Sequence, residues 1–247
     1  MRVRWWEAPA AFIAGNVLGT IAAALLGVVV IVIAMFLRVK IDTVSISGAL
    51  GTNFWAIMAT LGLNNLAMLG SLVWVVRRRL PNPIAHYFTP VPRRWLIYAA
   101  LAGIAISVLI NGGNELMQRA GWVNFTDTPL ERAMLPHGAA PFIMSVLVVS
   151  VLAPLVEEFL FRGLLMRWLQ QVGGISVAVA VSSLLFGLLH GQFFIHPGAQ
   201  GILFTVQLTG AGVALAVTAY RTGSLRTSFV LHAAYNFTAT ILGVFLP

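Results

Sequence analysis

FIMSVLVVSVLAPLVEEFLFR, residues 142–162, is the stretch whose reading decides the fold. Residues 142–156 carry no charge; then Glu157 and Glu158 stand side by side, and Arg162 follows one turn later. The chain contains only seven acidic residues, yet two of them sit inside this hydrophobic run. A charged side chain at the centre of a membrane helix costs about 2.5–3.5 kcal/mol on insertion scales. Two carboxylates retained at that cost imply a use for them.

The surroundings of this stretch define its solvent. Of 247 residues, 59% are hydrophobic and 9% charged, with a mean hydropathy of +0.91. A soluble domain carries about 25% charged residues, so this chain cannot cover a water-facing surface and must lie in lipid. About 20 residues of helix cross a ~30 Å hydrocarbon core. Seven apolar segments fit that length, roughly 11–37, 52–76, 95–111, 141–170, 174–193, 199–220 and 225–246. The expected fold is all-α: a polytopic membrane helix bundle of about seven transmembrane helices. The first apolar stretch far exceeds the 7–15 residues of a signal-peptide core, so it reads as a retained span. Pro154 predicts a kink in the fourth segment.

The net charge of +8 does not point to nucleic acid, because the arginines cluster in short gaps between apolar runs, as membrane topology requires. RRRLPNPIAHYFTPVPRR (77–94) is the clearest such gap. Placing it in the cytoplasm puts the N-terminus and the turns at 171–173 and 221–224 on the same side, with Arg2, Arg4, Arg167, Arg221 and Arg226 near them. Arg38, Lys40, Arg119 and Arg132 are left for the outer loops. Residues 112–140 read as a mixed loop holding Glu115, Asp127 and Glu131. With no cysteine, disulfide and thiolate chemistry are excluded.

An ionisable or strongly polar residue inside a span is a functional-site candidate. The fourth segment offers Glu157, Glu158 and Arg162, the fifth His190, and the seventh His232 and Asn236. If segments four and five form a hairpin turning near Val172, a rise of ~1.5 Å per residue places Glu157 ~22 Å and His190 ~27 Å from the turn. Segments six and seven turn near Thr222, which places His232 at ~15 Å and Asn236 at ~21 Å. The four groups can therefore share one chamber. Glu158 and Arg162 are four residues apart and can pair, as His232 and Asn236 can share a face. Glu157 points about 100° away from Glu158, which frees it for another role.

A carboxylate and an imidazole can take a proton from water, while a second imidazole and an amide stabilise an oxyanion. The same set could hold a metal such as zinc, although the HExxH helix motif is absent. Equally, these residues could relay protons in a transporter or glue helices together. Asp42 and Asp127, the only aspartates, lie in loops, and no GxSG motif appears. Ser183, Asn64, Asn65 and Gln207 read as packing residues, and His86, His137 and His196 as loop residues.

EEFLFR (157–162), FGLLH (186–190) and HAAYN (232–236) also form an ordered trio, EExxxR, FxxxH and HxxxN, on successive apolar segments. The trio resembles that of the CAAX prenyl protease and bacteriocin-processing group, the CPBP or Abi family of intramembrane endopeptidases. The likeness covers roughly 141–246. It implies a catalytic helix bundle over 141–247, preceded by N-terminal membrane helices and loops over 1–140. It also implies a multi-pass protein of the cell membrane that cleaves a membrane-associated peptide or protein. By position, Glu157 would be the general base acting with His190, and His232 and Asn236 would support the oxyanion. Alternatively Glu157, His190 and His232 would be ligands of a zinc ion, since the family has been described both as metal-dependent and as glutamate-dependent. Glu158 and Arg162 would be a supporting pair, and Phe186 would pack the chamber. The competing expectations are a membrane transporter or proton-coupled channel and a catalytically idle immunity or scaffold protein.

Overall fold

With lipid as solvent, each backbone N–H and C=O must be satisfied within its own segment, and a helix is the way to do so without a partner strand. The structure, a computed structural model, describes residues 2–36 and 52–245; Arg38, Lys40 and Asp42 fall outside them. Among the described residues there is no strand. The chain runs through α1 (Glu7–Phe36), α2 (Phe54–Arg77), the short α3 (Pro83–Tyr87), α4 (Arg93–Arg119) and the short α5 (Pro129–Met134). It continues as α6 (Ala139–Ser145), a π-helix π1 (Val146–Leu152), α7 (Ala153–Glu158), a second π-helix π2 (Phe159–Leu165) and α8 (Met166–Leu189). The short α9 (Gln192–Ile195), α10 (Ala199–Thr222) and α11 (Leu225–Phe245) complete it.

Among the described residues, six continuous helical stretches are long and apolar enough to cross a membrane, and the longest, Ala139–Ile195, contains the fourth and fifth predicted segments together. They are separated at Gly174, whose φ of 76° and ψ of −179° break the helix; positive φ is where glycine alone is at ease. The chain reverses there. A straight helix would hold residues 161 and 186 roughly 37 Å apart, whereas the rings of Phe161 and Phe186 are 5.2 Å apart. The protein is thus an all-α, multi-pass membrane bundle. Apolar side chains such as Val17, Val28 and Val32 of α1 stay exposed, as lipid-facing residues do.

Two local departures from the sequence reading have physical causes. The segment predicted as 95–111 continues as helix to Arg119, straight through Asn111-Gly112-Gly113-Asn114, so 112–119 is not loop. Asn111 folds back to donate to Ser107 O at 2.8 Å, Asn114 exchanges amide hydrogen bonds with Gln207 of α10, and Glu115 pairs with Arg119 at 2.6 Å. These bonds, two within the helix and the amide exchange with α10, offset the poor helix propensity of Asn and Gly. Residues 129–134 also form a helical turn, because Thr128 and Glu131 make a reciprocal capping box. Around Pro154 the backbone widens: the proline has no N–H to give Ser150 O, and π1 ends two residues before it. The motif carboxylates therefore sit on a single short α-segment between two π-helices, a geometry that recurs at functional sites.

The core gathers around this segment. Phe159, Leu164, Phe186, Leu215 and Leu225 are fully or almost fully buried in one cluster. On the far side α4 closes onto α11 at Gly103, where any Cβ would collide with Leu231 O. That close approach seats the turn of α11 that carries His232.

Candidate active site

Glu158 is completely buried and its Oε1 accepts from Arg162 Nη1 at 3.0 Å. Arg162, equally buried, reaches on to Gly212 O of α10 at 3.1 Å and lies over the Phe186 ring, 4.4 Å from its centroid. Phe186 in turn packs against both His190 and His232, with ring centroids at 4.5 and 5.6 Å. One guanidinium thus fastens α10 and the returning half of α8 to the carboxylate segment.

Both imidazoles are oriented through Nδ1. His190 Nδ1 lies 2.7 Å from Phe186 O; a carbonyl only accepts, so Nδ1 carries the hydrogen. His232 Nδ1 lies 3.1 Å from Glu158 Oε1, and a carboxylate oxygen places the hydrogen on Nδ1 there too. Each ring then turns Nε2 toward the other glutamate. Glu157 Oε2 is 3.8 Å from His190 Nε2 and 3.6 Å from His232 Nε2. That oxygen is buried and has no hydrogen-bond partner among the described residues. Three groups that prefer to accept hydrogen bonds meet at one point, a geometry satisfied by a molecule with protons to donate, such as water.

The point opens into a cavity of about 420 Å³ whose wall includes Glu157, His190, His232 and Asn236. Asn236 uses one amide hydrogen on Val149 O of π1 at 2.8 Å and retains a second. Among the described residues no group of three or more His, Cys, Asp or Glu side chains is arranged to hold a metal ion.

The cavity wall also contains residues outside the expected site. Asn65 of α2, read as a packing residue, reaches it, as do Leu61, Ile106, Met134 and Tyr235. Asn65 donates to Leu61 O of its own helix at 2.9 Å, which leaves its carbonyl oxygen for other partners. The signal for Asn65 was present as a polar residue in an apolar segment; its depth relative to Glu157 was not. Residues before 140 therefore help to build the chamber. His196 lies in the bend that follows α9, where it is buried, and its Nε2 lies 2.9 Å from Glu131 Oε1. Ser183 is buried against Gly212. His86, read as a loop residue, lies in the last turn of the short α3, its ring beside Tyr87.

Residues 139–238 match the family model described as type II CAAX prenyl endopeptidase Rce1-like. An Escherichia coli protein described as an uncharacterized 24.3 kDa protein is 27% identical over 182 residues, covering 70% of this chain and 73% of that protein. No solved structure matches the chain. The matched segment holds both glutamates, the arginine, both histidines and Asn236. Over residues 139–238 this membrane protein is similar to the Rce1-like, CAAX-protease family.

Proposed function

We propose that the protein is an intramembrane endopeptidase of the cell membrane that hydrolyses a peptide bond in a membrane-associated protein or peptide. The observation that carries this reading is the convergence of Glu157 Oε2 with His190 Nε2 and His232 Nε2, at 3.8 and 3.6 Å, in the wall of the chamber. In this reading Glu157 takes a proton from a water held against His190, and the water oxygen attacks the scissile carbonyl. The oxyanion that forms is met by the free amide hydrogen of Asn236, and by His232 when its ring carries a second proton on Nε2, since Nδ1–H is held by Glu158. Glu157 then passes its proton to the leaving amine. Glu158 and Arg162 act through His232, by holding its ring and its Nδ1 hydrogen in place. Phe186 holds both rings by packing. The catalytic helices are those of 141–247, and the helices of 1–140 contribute Leu61, Asn65 and Ile106 to the wall against which the substrate lies.

The test is cleavage of a broad peptide library by the purified protein beside Glu157→Ala and His190→Ala, each with and without a chelator. General-base catalysis is worth roughly 10²–10⁴-fold, and losses of that order in both variants, with unchanged melting, are expected. Activity that survives chelation places water activation on the glutamate alone. Loss under chelation that zinc restores would make the same three side chains metal ligands. Normal cleavage by either variant would end the proposal.

A further inference from the structure

Away from the chamber, a larger cavity opens at one end of the bundle, about 1130 Å³ in volume. Three helix ends form it: the residues leading into α1, the residues following α2, and the part of α8 just before Gly174. Its wall combines Arg2, Arg4 and Arg79 with Trp5, Trp6 and Trp168.

The leading segment is fixed in place. Val3 is buried in the main core cluster, and the N–H of Glu7 donates to Arg4 O at 3.1 Å to close a turn. Arg79 is already occupied: its guanidinium grips the buried Glu7 carboxylate at 2.7 and 2.5 Å and reaches the Tyr87 hydroxyl at 3.3 Å. Arg2 and Arg4 are exposed and have no ion-pair partner among the described residues. The cavity thus offers two unneutralised guanidinium groups beside three indoles.

We propose that this cavity binds the phosphate headgroup of an anionic phospholipid. Guanidinium groups match phosphate oxygens two at a time. Tryptophan rings settle at the headgroup level of a bilayer, with an apolar body toward the acyl chains and an N–H toward water. A free phosphate would use the arginines and gain nothing from three indoles, so the lipid is the occupant the wall fits. Basic pockets between membrane helices take such headgroups. Through Arg79, Tyr87 and then Phe159, whose ring lies 5.1 Å from Tyr87, the bound lipid would rest against the segment that carries Glu158.

The test is native mass spectrometry of the full chain released from mixed phosphatidylglycerol and phosphatidylcholine nanodiscs. Wild type is compared with the double variant Arg2→Ala/Arg4→Ala and with Arg93→Ala/Arg94→Ala, which removes two arginines outside the cavity. The expected result is one phosphatidylglycerol retained per chain in preference to phosphatidylcholine. Retention should fall about tenfold or more in the Arg2/Arg4 variant and stay unchanged in the Arg93/Arg94 variant. Equal loss in both variants would reduce the effect to general attraction of a basic end for an anionic bilayer, and overturn the site. Displacement of the lipid by an equal concentration of inorganic phosphate would overturn the lipid assignment. Retention that the Arg2/Arg4 variant leaves intact would overturn both. Neither Arg2 nor Arg4 is buried or paired, so unchanged melting is expected and is measured alongside.

Discussion

His232 Nδ1 lies 3.1 Å from Glu158 Oε1, the same oxygen that accepts from Arg162 Nη1 at 3.0 Å. One carboxylate oxygen therefore fixes a histidine ring and neutralises a buried arginine together. Its neighbour Glu157, turned about 100° around the helix, keeps an oxygen free of hydrogen bonds at the meeting point of two Nε2 atoms. Adjacent identical side chains receive different environments because a helix separates them, and different environments allow different chemistry.

The Glu158–Arg162 pair should reveal itself as an all-or-nothing unit. Removing one partner of a buried ion pair leaves an uncompensated charge and costs about 3–5 kcal/mol, whereas replacing both with uncharged groups is often close to neutral. Glu158→Gln and Arg162→Met are each expected to lower the thermal midpoint in detergent, and the double variant to regain most of it. The double variant should stay inactive, because His232 has lost its carboxylate. Single variants that melt within 1 kcal/mol of wild type would show the pair to be dispensable.

Asn236→Ala separates transition-state stabilisation from substrate binding. An oxyanion donor is worth about 10²–10³-fold in kcat, and the loss should fall on kcat with KM nearly unchanged. Steady-state kinetics on any substrate found by the library screen reads both. A rise in KM with kcat intact would move Asn236 from the oxyanion to the substrate-binding wall.

Most of the bundle was legible before the structure, for reasons lipid imposes. A segment that cannot hydrogen-bond to solvent must be helical, so runs of apolar residues bounded by Arg77 or by the Gly223-Ser224 turn are helices almost by necessity. The same force hid the true end of α4: Asn111-Gly112-Gly113-Asn114 reads as a break in water and is helix here. The ordered polar residues of the last four segments also named their own neighbourhood. Spacing alone could not state that α2 would bring Asn65 to the same wall, since nothing in a sequence sets the vertical register of two helices far apart in the chain.

Asn65 and Tyr235 give that point a measurable form. Both line the chamber, and neither is among the motif residues. Tyr235→Phe removes only a hydroxyl, and Asn65→Leu replaces an amide with an apolar group of similar size. Each is expected to raise KM several-fold, in keeping with the ~0.5–1.5 kcal/mol of an ordinary hydrogen bond, while kcat changes little and the fold is retained. If peptide substrates bind and turn over normally in both variants, these walls do not touch the substrate.

The strap that follows α4 should respond to acid. Thr126 N donates to Gln200 Oε1 at 3.2 Å and Gln200 Nε2 donates to Thr126 O at 3.0 Å, while His196 reaches Glu131 at 2.9 Å. These contacts tie 126–131 to the residues that open α10, and Met134, just beyond, lines the chamber. Burial opposes ionisation of Glu131, but hydrogen bonds from the Thr128 N–H, from His196 and from the Thr128 hydroxyl outweigh it and hold the carboxyl below its ordinary value of 4.5. A carboxyl whose folded pKa is depressed contributes stability that is complete above its unfolded value and is lost as pH falls through the folded one. The strap is therefore expected to keep its protection at pH 6 and to loosen only below roughly pH 4.5. Hydrogen exchange of 123–135 against pH measures this, with Glu131→Gln as control. That variant should start with less protection at neutral pH and change little on acidification, because its side chain has no proton to gain. A strap that loosens with the same pH profile in Glu131→Gln would trace the effect to another group and remove Glu131 as its cause.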